Sequence, residues 1–159
     1  MFRLISIGLL LCLSLSSALS ARDININNLA AEAAKQNKHL LIWLHKTDCG
    51  YCESMREFTL EDENIAAVLK KAFLFVHINI NEKDDVTFKT FKGDGKAFAK
   101  KVGYNFYPSS LFFDAKADLI FAAAGYIEEN DFLMMLTYVD SGAYRTMKYD
   151  IYRQQKGQR

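Results

Sequence analysis

Two cysteines three positions apart, Cys49 and Cys52, follow closely on a compact apolar run, His39-Leu40-Leu41-Ile42-Trp43-Leu44. A run this short and this apolar reads as a buried strand. The stretch from Cys49 to Phe58 reads as a helix that opens at the first cysteine. Two thiols at this spacing can close a disulfide within one helical turn. Free amides at the start of a helix stabilise a thiolate on the first cysteine and lower its pKa. The second thiol lies one turn in and is less exposed. Cys49 is therefore the sulfur that attacks or is attacked, and Cys52 the one that resolves a mixed disulfide. Gly50 lets a substrate backbone approach closely, and Tyr51 stands at the mouth of the site.

Other uses of a cysteine pair are weighed on the same residues. A structural disulfide closing so short a loop stabilises by only roughly 2 kcal/mol in the chain-entropy model, a weak reason to keep it. A zinc site needs two more ligands, and the chain offers His39, His45 and His77 beside carboxylates but no second cysteine pair. Covalent haem attachment requires histidine directly after the second cysteine. Glu53 stands there and excludes it.

Half of the 159 residues are hydrophobic and only one is proline, so the chain can build one real core and is not a disordered sequence. Its net charge of +1 argues against a nucleic-acid binder working through a large basic surface. Three cysteines are too few for a disulfide-stapled scaffold.

The chain starts like a secretory leader. Arg3 precedes an apolar run from Leu4 to Leu15, and Ala18 and Ser20 are small residues at the spacing a signal peptidase reads. The run is shorter than the roughly 20 residues that span a bilayer. Residues 1–20 are expected to be cleaved before Ala21, leaving residues 21–159 as a single exported domain. Cys12 leaves with the leader, so the mature chain keeps the one pair, in a compartment where disulfides form and persist.

Along that domain, Asn27 or Asn28 is expected to cap a helix reaching Asn37. A helix over Asp62–Ala72 and a strand over Phe73–Ile80 come next, then a polar loop or hairpin from Asn81 to Gly95. Lys96–Val102 reads as a helix stopped by Gly103. Ser110–Phe113 and Leu119–Ala123 read as a strand hairpin. A helix over Glu128–Asp140 is broken by Ser141-Gly142, and a C-terminal helical tail covers Met147–Gln155. The fold class is α/β, with a central mixed sheet flanked by helices.

This order, with the Cys-x-x-Cys at a helix start and the lone Pro108 before a strand hairpin, resembles the thioredoxin superfamily. The ending from Gly125-Tyr126 through Ser141-Gly142 is similar to exported bacterial thioredoxin-related proteins of the SoxW type. The resemblance covers about residues 28–152. It implies a thioredoxin-like fold with a cis-proline at Pro108, whose neighbouring backbone, with Tyr107, pairs with a bound substrate strand. It also implies a redox-active disulfide as the only reactive group, with no added cofactor or metal. The sequence departs from the family at several points. Asp48 replaces the usual Trp before the first cysteine, and Gly-Tyr replaces Gly-Pro between the two. Trp43 stands where the family buries an acid. Tyr107 replaces a smaller residue before the proline. His77 falls near the family's buried lysine, which makes it the candidate for handling protons, with His45 behind it.

Size bears on the direction of electron flow. The mature chain has no room for the extra domain through which related isomerases dimerise, so a monomer is expected. The 55 residues between Cys52 and Pro108 leave little room for the helical insertion of a dedicated oxidant. Asp48 and Glu53 oppose a thiolate, while Lys46 and His45 favour it. A periplasmic reductase of exported protein disulfides, fed by a membrane thiol-electron transporter, fits best. The alternatives are an oxidant or isomerase, or a non-catalytic module of the same fold that binds a metal or a client.

Overall fold

Asn25 ends a three-residue strand, β1 (Asp23–Asn25), and caps the helix that follows, α1 (Ile26–Lys35); its side-chain oxygen accepts a hydrogen bond from the Asn28 amide at 3.1 Å. The computed structural model describes residues 21–157, so the leader expected over residues 1–20 lies outside the described residues. Strand β2 (His39–His45) comes next, then helix α2 (Gly50–Met55), which continues into a wider, π-helical turn over Arg56–Leu60. Asp62 accepts from the Asn64 and Ile65 amides and opens α3 (Glu63–Ala72), which runs straight into β3 (Phe73–Asn79). A hairpin, β4 (Asp85–Phe88) and β5 (Phe91–Asp94), leads to α4 (Gly95–Val102). Gly103, at φ +82°, ends that helix in the left-handed conformation glycine adopts without strain. Strands β6 (Ser109–Phe113) and β7 (Leu119–Ala124) and helices α5 (Glu129–Asp140) and α6 (Tyr149–Gly157) complete the chain.

The main sheet has the order β3-β2-β6-β7, with β2 parallel to β3 and antiparallel to β6. Leu40, Ile42 and Leu44 of β2 enter one core, and Leu41 and Trp43 the other. Successive strand residues point to opposite faces, and burial of both faces explains why this run is apolar throughout rather than alternating. The face holding Leu41 and Trp43 packs against α2, α3 and α5 through Met55, Ile65, Leu69, Phe132 and Leu136. The opposite face packs against α1 and α4 through Ile26, Ala30 and Phe98. Phe98 is fully buried, and truncating so large a core side chain to alanine typically costs about 3–5 kcal/mol.

The structure differs from the sequence reading in several places, among them the last helix, which covers Tyr149–Gly157 rather than Met147–Gln155. A second, three-stranded sheet of order β1-β4-β5 lies beside the first, formed when the Asn81–Gly95 hairpin pairs with β1. The α2 helix loses regular winding at Met55 rather than running to Phe58, because the π-helical turn takes over. The first helix is capped by Asn25 rather than by Asn27 or Asn28, and it ends at Lys35 rather than Asn37. Among the described residues no helix is long and apolar enough to cross a membrane.

Candidate active site

The link from β2 to α2 places the cysteines. Asp48 takes φ +55°, turning the chain so that Cys49 sits in extended conformation at the cap of α2. The Cys49 carbonyl accepts from the Cys52 and Glu53 amides at 2.9 and 3.0 Å. The Cys49 Sγ accepts from the Cys52 amide at 3.2 Å. A donor aimed at that sulfur favours the charged form of the thiol when the pair is reduced. Cys49 and Cys52 are joined in a disulfide, 7% and 3% exposed respectively.

Across from the cysteines, the Tyr107 carbonyl oxygen lies 3.9 Å from the Cys49 Sγ. The Tyr107–Pro108 peptide is cis, and Pro108 is buried at the start of β6. The Pro108 carbonyl accepts from the Gly125 amide at 2.8 Å, and Ser109 Oγ donates to the Phe106 carbonyl, so this corner is held from both sides. Tyr51, between the two cysteines in sequence, and Phe106, next to Tyr107, keep most of their surface in solvent. A Cβ on Gly50 would meet nothing within 4 Å. Nothing inside the chain demands a glycine there.

Behind Cys52 lies an open cleft of about 280 Å³, lined by Trp43, His45, Asp48, Glu53 and Asn79 among others. The His45 ring stacks on Trp43 with centroids 4.5 Å apart, and its Nε2 lies 3.3 Å from Nδ1 of His77. Burial above all, and then the neighbouring His77, push the His45 pKa down to about 4. Trp43, placed where an acid was sought, is buried, and its indole N–H has no hydrogen-bond partner. His77 is exposed and is not among the residues lining the cleft; it meets that side of the site through His45. The sequence reading did not single out Asn79. Its amide nitrogen donates to Thr47 Oγ1 at 3.1 Å and its side-chain oxygen accepts from the Asn81 amide at 3.1 Å, holding the loop that delivers Cys49. An asparagine at the end of a buried strand was the available signal. Among the described residues no group of three or more His, Cys, Asp or Glu is arranged to hold a metal ion.

The order of elements around this disulfide decides the family. A family model described as a thioredoxin-like domain matches residues 26–140. The chain belongs to the thioredoxin-like domain family. Solved thioredoxin-like structures agree on the fold. A thioredoxin-fold protein from Helicobacter pylori shares 21% identity over 76% of this chain and 80% of its own, with a TM-score of 0.61. The C-terminal domain of DsbD from Neisseria meningitidis, in its reduced form, shares 15% identity over 70% of this chain and 90% of its own, with a TM-score of 0.51. The oxidoreductase DsbH shares 10% identity over 89% of this chain and 96% of its own, with a TM-score of 0.55. No curated protein matches in sequence.

Proposed function

We propose that this thioredoxin-like protein is an exported thiol–disulfide oxidoreductase that reduces disulfides of exported proteins in the periplasm. The observation that carries the reading is the Cys49–Cys52 disulfide at the cap of α2, with the Cys49 Sγ facing the Tyr107 carbonyl beside Pro108. In the dithiol form the Cys49 thiolate attacks one sulfur of a client disulfide, and the other client sulfur leaves as a thiolate and is protonated. Cys52 then loses its proton and attacks Cys49, releasing the second client thiolate and closing Cys49–Cys52. Two electrons pass to the client, and two protons follow them. Tyr51 and Phe106 offer apolar contact beside the sulfurs, and the backbone at Tyr107–Pro108 offers hydrogen-bonding groups to an extended client. The proton of Cys52 leaves through the open cleft that this thiol lines, where His45 stands neutral with His77 in contact behind it.

The direction of flow follows from size, since the 55 residues between Cys52 and Pro108 leave little room for the helical insertion of a dedicated oxidant. The donor is a membrane thiol-electron transporter, as the SoxW-type resemblance implies, and the protein works as a monomer. The deciding experiment is the reduction potential of the couple in the 21–159 protein, equilibrated in defined thiol buffers and read by alkylation and mass. A value at or below about −230 mV supports a reductase. A value of about −120 to −180 mV belongs to oxidants and isomerases and reverses the direction. If the thiols never interconvert with the disulfide, the redox reading fails and the client- or metal-binding module replaces it.

A further inference from the structure

A second groove opens on the other side of Tyr107, on the layer formed by α4. Its volume is about 510 Å³, and it is lined by Ile80, Asp94, Lys96, Lys100, Asn105 and Tyr107. Ile80 and Tyr107 are half-buried and give it an apolar floor, while Lys96 and Lys100 stand exposed one helical turn apart on the same face of α4. Neither lysine enters an ion pair among the described residues. Two like charges at this spacing repel, so the helix gains nothing from the pairing itself. The one acid in the groove, Asp94, is occupied as the cap of α4, accepting from the Ala97 amide at 2.7 Å. On the α2 side of the disulfide, exposed Asp48 and Glu53 stand beside exposed Lys46 and Arg56. The surface around the sulfurs thus carries a lysine pair beyond Tyr107, while acids and bases offset each other on the α2 side. Tyr107 joins the two regions, since its ring lines the groove and its carbonyl faces Cys49 Sγ.

We infer that the groove between α4 and Tyr107 is a client subsite, in which Lys96 and Lys100 bind an acidic segment of the protein whose disulfide is engaged at Cys49. The inference rests on the oxidoreductase reading above and adds the charge of the client. Charges arranged this way steer encounter and select among partners more than they raise affinity. The preference is therefore for clients bearing Asp or Glu on the side that passes over α4.

The test uses two disulfide-closed peptides that differ only in three Glu or three Lys residues outside the ring. Their reduction by the dithiol form of the 21–159 protein is followed at low salt. The readout is the ratio of kcat/KM for the acidic peptide to that for the basic one. Peptide charge alters the reactivity of its own thiols, but that effect cancels when wild type and variants are compared on the same pair. The K96E/K100E double variant is expected to lower the ratio about tenfold or more. K101E, on the same helix but outside the groove, is expected to lower the ratio much less. The difference between wild type and K96E/K100E should fade toward 1 M salt, where screening acts over about 3 Å. An unchanged ratio in K96E/K100E, or an equal fall in K101E, overturns the subsite while leaving the redox chemistry in place. Failure of the wild-type dithiol to reduce either peptide overturns both.

Discussion

Nε2 of His45 and Nδ1 of His77 lie 3.3 Å apart across neighbouring parallel strands, so one ring must donate and the other accept. Two protonated rings cannot share that contact. Burial above all, and then this contact with His77, hold His45 neutral well below the pH at which a free histidine takes up its proton, with a pKa of about 4. Because the unfolded chain binds this proton near pH 6.5 and the folded chain does not, stability falls as pH drops from about 6.5 toward 4. Thermal unfolding of wild type and H45Q over that range checks it. The Tm of H45Q should decline less steeply, and parallel curves would rule the linkage out.

Trp43 is the single tryptophan and stacks on the His45 ring, so its fluorescence reports on that histidine. A protonated imidazole quenches an adjacent indole. The emission of the oxidised protein should drop on acidification with a midpoint near 4, not near 6.5. In H77Q the midpoint should rise, because the second group holding it down is gone. The same emission should change on reduction of the disulfide, and it should not respond to reductant in C49S.

The two cysteines have unequal duties, and single substitutions separate them. C52S should accumulate mixed disulfides with client proteins through Cys49, visible as reductant-sensitive adducts on a non-reducing gel. C49S should trap none and lose disulfide reduction. Equal trapping by both variants would contradict the assignment of Cys49 as the attacking sulfur.

Thr59 is fully buried in the π-helical turn, and its hydroxyl donates to the Ile127 carbonyl at 2.7 Å, tying that turn to the entry of α5. T59V keeps the shape and removes the donor, leaving a buried carbonyl unpaired. The expected loss is about 1–3 kcal/mol in denaturant unfolding. The reduction potential should hardly move, since Thr59 touches neither sulfur.

Asp84 accepts from the backbone amide, Nε and Nη2 of Arg22, and these contacts join the residue before β1 to the residue before β4, the strand β1 pairs with. The Arg22 hydrogen bonds hold the Asp84 carboxyl below the ordinary aspartate range. Their contribution is present above that range and is lost as pH falls through the lowered pKa. D84N should cost about 1 kcal/mol at pH 7 and less at pH 2. Equal costs at both pH values would show that shape, not charge, holds the two segments.

What could be read from the sequence divides along physical lines. The β2 run, the Cys pair and the α5 face declare themselves locally, because burial and helical spacing write a pattern over consecutive residues. Strand β1 left no such mark. It is three residues long, and its partner β4 lies about 60 positions further on, so nothing near Ile24 announces the pairing. The hairpin turn escaped firm assignment for a related reason. Lys89 takes φ +54° there, where a glycine or asparagine would have signalled the turn. At the site, Cys49, Cys52, Tyr107 and Pro108 were legible from motif and order. The contact of His45 with His77 was not, since it depends on parallel register, which sets Trp43 opposite His77 and His45 opposite Asn79. The lysine groove required knowing that α4 ends beside the same tyrosine that faces the sulfurs.

That tyrosine has a wider consequence. Tyr107 alone among the described residues packs against both cores, although it belongs fully to neither. The main sheet otherwise insulates its two sides, so packing changes under α1 or α4 have few routes to the disulfide. Tyr107 is a keystone set in the rim of that partition. The redox half of the molecule can stay fixed while the far half is recut to suit new clients, provided the stone shared by both keeps its seat.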